Sequence, residues 1–238
     1  MSSWEWQAER WLRWARTPGH DAYWHYREAF FAAIVPEPGR RTLEVGCGEG
    51  RVARDLADHG HRVVAVDAAP TLVGHAAAAD RDGRYLVADA AALPFRDGSF
   101  DVVVAYNSLM DVDDMPAAVA EAARVLEPGG RLCVCVTHPT ADAGRFAGSE
   151  PDAPFTIPGA YLGRHPLEEA TFERDGLEIT FAGWRYALEE YAAALEAAGL
   201  LVERLREPAA PPAATAGHPL YHRWQRLPLF LHLRAVKR

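Results

Sequence analysis

The sequence predicts an α/β fold built on a doubly wound parallel sheet, and three observations predict it. From residue 41 onward, short runs of β-branched residues alternate with helical stretches. A glycine turn, Gly46-Cys47-Gly48-Glu49-Gly50, joins the first strand to the first helix of that series. Acidic residues close the next two strands: Asp67 lies 23 residues beyond Glu44, and Asp89 a further 22. A sheet of this kind gathers its strand ends at one crevice, where ligands bind.

Residues 3–16 carry an apolar helical stripe of Trp4, Ala8, Trp11, Leu12 and Ala15, which Thr17-Pro18-Gly19 ends. A second, aromatic helix is expected from Asp21 to about Val35. Strands are expected at Thr42–Val45, Arg62–Val66, Tyr85–Ala88, Phe100–Tyr106 and Arg131–Val136. Between them fall helices at Arg51–His59, Pro70–Ala79 and Met115–Leu126, the last capped by Asp114. Residues 139–163 read as a loop, rich in Pro, Gly, Ala and Asp. Asp175-Gly176 suits a tight turn between strands 171–174 and 177–182, with Leu177, Ile179 and Phe181 on one face. A helix at Tyr186–Ala198, a strand at Leu200–Leu205, a Pro/Ala linker at Glu207–Pro219 and a last strand at Leu229–Val236 complete the chain. We read 1–238 as one domain: a helical cap (1–38), a cofactor-binding core (41–138), an insertion with a hairpin lid (139–186) and the C-terminal part of the sheet (187–238).

The chain has 238 residues, 49% of them hydrophobic and 24% charged, the composition of a globular protein. Its formal charge of −8 excludes the basic field that draws in nucleic acid. Apolar runs are broken by Arg, Asp, Glu or His before they reach membrane-spanning length, so no membrane partner is expected. Met1-Ser2-Ser3-Trp4 opens without a basic stretch leading into an apolar run, so a cytoplasmic location is expected. Cys47, Cys133 and Cys135 are too few for a disulfide framework, and Cys133-Val134-Cys135 lacks a second ligand pair for a metal. Asp111, Asp113 and Asp114 are explained by helix capping, so no metal site is expected.

Glycines in the turn let the chain bend sharply and let a ligand approach closely. Asp67 suits a ribose diol, and Asp89 suits an exocyclic adenine amine; together they describe a nucleoside along the crevice. A diphosphate fits less well. Arg51 stands where the dinucleotide pattern wants glycine, and Glu44 is a better neighbour for an ammonium or sulfonium than for an anion.

These segments resemble those of the class I S-adenosylmethionine-dependent methyltransferases that act on small molecules. Glu44-Val-Gly-Cys-Gly-Glu-Gly50 is similar to the family's first motif, and Asp67 matches its ribose-binding acid. Val87–Phe95 resembles the adenine-side motif, Phe100–Ser108 the fourth-strand motif, and Arg124–Gly130 the turn into the fifth strand. The resemblance implies a Rossmann-like, seven-stranded sheet with the last strand antiparallel, and S-adenosyl-L-methionine as cofactor. It implies a cradle of Glu44, Gly46, Cys47, Gly48, Asp67, Ala68, Asp89, Ala90, Tyr106 and Asn107, with Tyr23 at the cofactor's carboxylate end.

Methyl transfer asks for positioning and exclusion of water, and in some cases for a base. His138, which follows the fifth strand, is either that base or a structural histidine. Trp4, Trp11, Tyr23, Trp24 and Tyr26 either roof the sulfonium or pack two helices onto the sheet; packing is the reading for Trp4 and Trp11. Arg185 meets either an acidic substrate or a surface carboxylate. The other functions weighed are an NAD(P)-dependent oxidoreductase, disfavoured by Arg51 and Glu44, and a non-catalytic protein that binds the same cofactor.

Overall fold

A computed structural model describes residues 3–167, 170–217 and 219–238. Met1 and Ser2, from the expected leaderless start, lie outside the described residues, as do 168 and 169 of the expected lid and His218 of the expected linker. The chain opens with α1 (Ser3–Arg16) and α2 (Tyr23–Ala33). The alternating part follows: β1 (Thr42–Val45), α3 (Arg51–Asp58), β2 (Val63–Asp67), α4 (Pro70–Ala79), β3 (Tyr85–Val87), β4 (Phe100–Tyr106), α5 (Met115–Val125) and β5 (Leu126–Thr137). Then come α6 (Pro139–Ala143), β6 (Arg145–Phe146), β7 (Phe155–Thr156), β8 (Arg164–Pro166), β9 (Ala170–Arg174), β10 (Leu177–Phe181) and β11 (Trp184–Tyr186). The chain closes with α7 (Leu188–Ala197), β12 (Leu200–Arg206), α8 (Pro212–Gly217) and β13 (Phe230–Lys237).

Seven strands form one sheet in the order β12-β13-β5-β4-β1-β2-β3. β1 to β5 pair in parallel, and β13 runs antiparallel to both β5 and β12. This is the architecture that the resemblance implies. Its two faces follow from the alternation of side chains along a strand. Val103 and Ala105 of β4, with Leu132 and Val134 of β5, point to α5 and α7. Val102, Val104 and Tyr106, with Cys133 and Cys135, point to α2 and α3. All three cysteines are free and buried. Pro128-Gly129-Gly130, expected as a turn before the fifth strand, is pushed out as an irregularity within β5. Phe100 pairs with Leu126 on one side of it, and Val102 with Arg131 on the other.

Two expectations need correction. Residues 139–163 are not a plain loop: α6 forms after His138, whose Nδ1 accepts from the Thr140 N–H at 3.1 Å, and proline fits the first helical position. The β6–β7 pair is held by the Phe146 and Phe155 rings, with centroids 5.0 Å apart. The Glu207–Pro219 linker likewise holds α8, which opens on Pro212 and buries Ala214, and a 3₁₀ turn at Pro219–Gln225 follows it. Among the described residues, no helix is long and apolar enough to cross a membrane.

Phe30 is fully buried between Tyr106 and His232 where α2 crosses the sheet. Phe30→Ala leaves a void that the sheet cannot close. It is expected to lower the free energy of unfolding by about 3–5 kcal/mol in a urea titration.

Candidate functional site

A cavity of about 2060 Å³ lies over the C-terminal ends of the parallel strands. Its floor is the turn after β1. The Gly46 and Cys47 N–H groups donate to Val66 O at 2.8 and 2.9 Å, tying the turn to β2. Gly46 and Gly48 have φ of 75° and 53°, a conformation that L side chains rarely adopt. A Cβ at Gly46 would stand 2.2 Å from that of Ser108, whose hydroxyl donates to Val45 O at 2.7 Å. The turn therefore has to be glycine for the ends of β1 and β4 to lie this close.

Two carboxylates stand behind the turn. Asp67 accepts from the Gly48 N–H at 2.8 Å and the Ala69 N–H at 2.9 Å, one on each oxygen. Burial raises its pKa, and these backbone donors pull it down. Each oxygen keeps a further lone pair, enough to accept a pair of hydroxyls. Glu44 is only 1% exposed, and its Oε2 has no partner among the described residues. Burial first, and then the charge of Asp67, push its pKa well above the ordinary range, although Arg51 and Arg54 oppose them. An unpaired carboxylate on a cavity wall favours a cation or a hydrogen-bond donor as ligand.

Arg51 opens α3 and is buried. It bonds Asp21 at 2.8 Å, with its guanidinium 4.4 Å from the Tyr23 ring centroid and 5.1 Å from that of Trp11. Burial opposes its charge, but Asp21 more than offsets this. Its Nη1 is buried without a partner among the described residues, so the cavity also offers a site for an anionic group. The sequence marks Arg51 only as a departure from the dinucleotide glycine pattern; its position at the start of a helix after a glycine turn is the signal for anion binding.

The structure brings Glu44, Gly46, Cys47, Gly48, Asp67, Ala68, Asp89, Ala90, Tyr106 and Asn107 to the cavity wall. Asp89 is exposed there and caps the Ala91 N–H at 2.9 Å. Asn107 takes a positive φ of 49°, where β4 ends and the chain bends over the cavity; its side-chain oxygen accepts from the Cys135 thiol at 3.3 Å. Burial, with the nearby Glu44 and Asp67 charges, pushes the Cys47 thiol up, so it stays protonated.

Tyr23 and His138 are not on that wall. The Tyr23 hydroxyl donates to Asp55, and its ring is packed under Arg51 in the core between α2 and the sheet. Arg51, rather than Tyr23, faces the cavity here. Both ring nitrogens of His138 are engaged: Nδ1 caps α6, and Nε2 lies 2.8 Å from Glu207. The aromatic residues exchange roles as well. Tyr26 packs in the core, whereas Trp4 and Trp11 face the cavity. α1 does not lie on the sheet; it spans from α4 to the β9–β10 hairpin, where Trp4, Trp11 and Phe181 meet edge to face with centroids 5.4–6.3 Å apart. Gln7 accepts from the Thr180 N–H at 3.2 Å, so cap and hairpin close the cavity together.

A second polar group lies on the cavity wall formed by α6 and β11, with Asp142, Arg185 and Asp111 as its members. Asp142 is pushed up to about 7 by burial, with Arg185 pulling it back. Burial raises Asp111 well above its ordinary value, and the Asp142 and Asp67 charges add to this. The Nε of Arg185 is buried and has no partner among the described residues. Asp114 does cap α5, accepting from the Ala117 N–H at 3.0 Å, whereas Asp113 accepts from the Trp184 indole at 3.1 Å rather than from a helix N–H. Asp111 faces the cavity instead. Sequence reasoning missed Asp142, although Pro139 after a strand is a helix-start signal that would have carried it to the crevice side.

A family profile described as a methyltransferase domain matches residues 43–134. The demethylmenaquinone methyltransferase of Beutenbergia cavernae is 39% identical over 116 residues, covering 49% of this chain and 48% of that protein. The one from Renibacterium salmoninarum is 37% identical over 116 residues, covering 48% and 49%. The chain thus spans about half the length of the curated relatives it matches. Among solved structures, an S-adenosylmethionine-dependent methyltransferase from Mesorhizobium loti superposes with a TM-score of 0.71 at 24% identity, covering 90% of this chain and 98% of that one. The [4+2]-cyclase SpnF superposes with a TM-score of 0.59 at 21% identity, covering 88% and 78%.

The raised Asp142 has a consequence for stability. Its pKa is higher folded than unfolded, so the protonated form favours the fold, and that contribution is lost as pH rises from about 4 through about 7. Asp142→Asn removes the dependence. From pH 5 to pH 8 the parent is expected to lose roughly 1–3 kcal/mol relative to the variant in urea titrations.

Proposed function

We propose that the chain, whose residues 43–134 match a methyltransferase-domain profile, is a class I S-adenosylmethionine-dependent methyltransferase that transfers the cofactor's methyl group to a small-molecule acceptor. One observation supports this reading above the others. The buried Glu44 oxygen without a partner lies beside Asp67 on the cavity wall, where a positively charged ligand would supply what it lacks. S-adenosylmethionine has an ammonium and a sulfonium; a nicotinamide dinucleotide would bring a diphosphate to the same place.

When bound, the cofactor supplies a methyl carbon already activated by positive sulfur, so the protein's own work is holding and screening. Asp67 would accept the ribose hydroxyls while its backbone donors keep it fixed. Asp89 and the backbone at Ala90 would meet the adenine edge, and Glu44 would take the cationic amino acid end. The free Nη1 of Arg51 would take the cofactor's carboxylate. Trp4 and Trp11 would exclude water, and their ring faces favour a cation. The fold alone does not decide the reaction, because a cyclase shares it. The acceptor is not carried over from the demethylmenaquinone relatives either. The walls built by α6, β9, β10, β11 and residues 219–225 lie beyond the matched segment 43–134.

The reading is tested by calorimetric titration with S-adenosylmethionine, S-adenosylhomocysteine and NAD, followed by mass spectrometry of phenol and amine acceptors, with reduced demethylmenaquinone among them. One equivalent of either sulfur compound should bind, and NAD should not. Asp67→Ala should weaken S-adenosylhomocysteine binding at least fivefold, about 1 kcal/mol, with an unchanged circular dichroism spectrum. Unaltered affinity in that variant would remove Asp67 from the site.

A further inference from the structure

The cavity is larger than one nucleoside requires. Pockets for drug-sized ligands run to roughly 300–1,000 Å³, and this one holds about 2060 Å³. The space beyond the glycine turn is walled by aromatic rings, including Phe146, Phe172, Phe181 and Trp224. Three ionisable side chains from three separate elements line its wall. Asp142 comes from α6, Arg185 from β11, and Asp111 from the 3₁₀ turn at Leu109–Asp111 that follows β4. Tyr191 of α7 lies behind them and is not a cavity residue; its hydroxyl is held protonated by burial and by the Asp142 and Asp111 charges. Asp111 feels the charge of both Asp142 and Asp67, so this group lies within electrostatic reach of the cofactor cradle.

We propose that Asp142 is the base that takes the proton from the acceptor, that Arg185 steadies the negative charge left behind, and that the acceptor is an aromatic hydroxyl compound. The proposal rests on the methyltransferase reading. The surroundings select among proton-bearing groups. Arg185 lies close enough to act on Asp142, and burial holds Asp111 toward its neutral form, so the group favours a neutral hydroxyl becoming an anion over an ammonium. Its buried Nε has no partner among the described residues and is a donor in wait. The aromatic lining suits a flat ring. A carboxylate that titrates near neutrality is suited to accept a proton and return it to water. In the step, the acceptor O–H proton passes to a carboxylate oxygen of Asp142, and the freed oxygen pair forms the O–CH₃ bond. The methyl–sulfur bond breaks with its electrons staying on sulfur, which turns from a cationic sulfonium into a neutral thioether. His138 takes no part, since Glu207 and the Thr140 N–H occupy its ring.

4-Nitrophenol serves as the probe, added to the protein saturated with S-adenosylhomocysteine. Its affinity is measured calorimetrically in the parent, Asp142→Asn and Arg185→Gln. The Asp142 carboxyl is followed by ¹³C NMR in aspartate-labelled protein and assigned with Asp142→Asn. Both variants should retain S-adenosylhomocysteine affinity within twofold and lose at least tenfold in 4-nitrophenol affinity. The parent's Asp142 resonance should titrate near pH 7, with its midpoint displaced when the phenol is added. Equal phenol affinity in the parent and both variants, or an Asp142 resonance indifferent to the phenol, would overturn the proposal. So would a parent that holds S-adenosylhomocysteine and ignores the phenol. If S-adenosylhomocysteine itself fails to bind the parent, the methyltransferase reading fails, and the proposal with it.

Discussion

The site depends on a pair of carboxylates buried behind a glycine bend. Glu44, one residue before the end of β1, and Asp67, which closes β2, lie on adjacent parallel strands, and the register Val45↔Val66 sets their spacing. Asp67 is satisfied by backbone N–H groups; Glu44 is not. A buried acid beside another acid is an expensive arrangement for a fold to keep. It becomes favourable when a cation or a set of hydroxyls arrives. The bend is glycine because Ser108 leaves no room for a Cβ at Gly46, so β1 and β4 end close enough to share one ligand. The strand ends, the bend and the acids are thus one constraint expressed three times.

The rest of the chain encloses that constraint. α2 and α3 cover one sheet face, and Phe30, Tyr106 and His232 form an aromatic seam beneath the site. α1 leaves the sheet to meet the hairpin, and that departure creates the cavity roof. Arg174 ties the hairpin back to the cap through Gly19 O, and His20 answers through Arg174 O at 3.2 Å. The cap and the hairpin are far apart in sequence yet meet over the crevice, so closing the roof depends on the whole chain being folded.

The order of strands, the bend, Glu44, Asp67 and Asp89 were legible because each sits at a strand end, where a two-residue period meets a helix start. The antiparallel last strand came through resemblance. Tyr23 and His138 were misplaced for one reason: sequence gives a residue's position on the chain, not the direction of its side chain. Tyr23 turns into the core because Arg51 covers its ring, and His138 turns away to cap α6. Trp4 and Trp11 face the cavity because the partner of α1 is a hairpin some 170 residues away, which no local period reveals. Arg185 was singled out, but Asp142 beside it was missed for the same reason, the two coming from elements with no common repeat.

The account stands most directly on one measurement, made on Glu44→Gln beside the parent. An amide at this position cannot ionise and escapes the cost that burial and Asp67 impose on the Glu44 carboxylate, so the variant should unfold at a higher urea concentration. Its calorimetric affinity for S-adenosylmethionine should fall at least fivefold in the same samples. A more stable protein that binds its ligand less well is the signature of a carboxylate kept for a cation. Equal or tighter binding by the variant would contradict it.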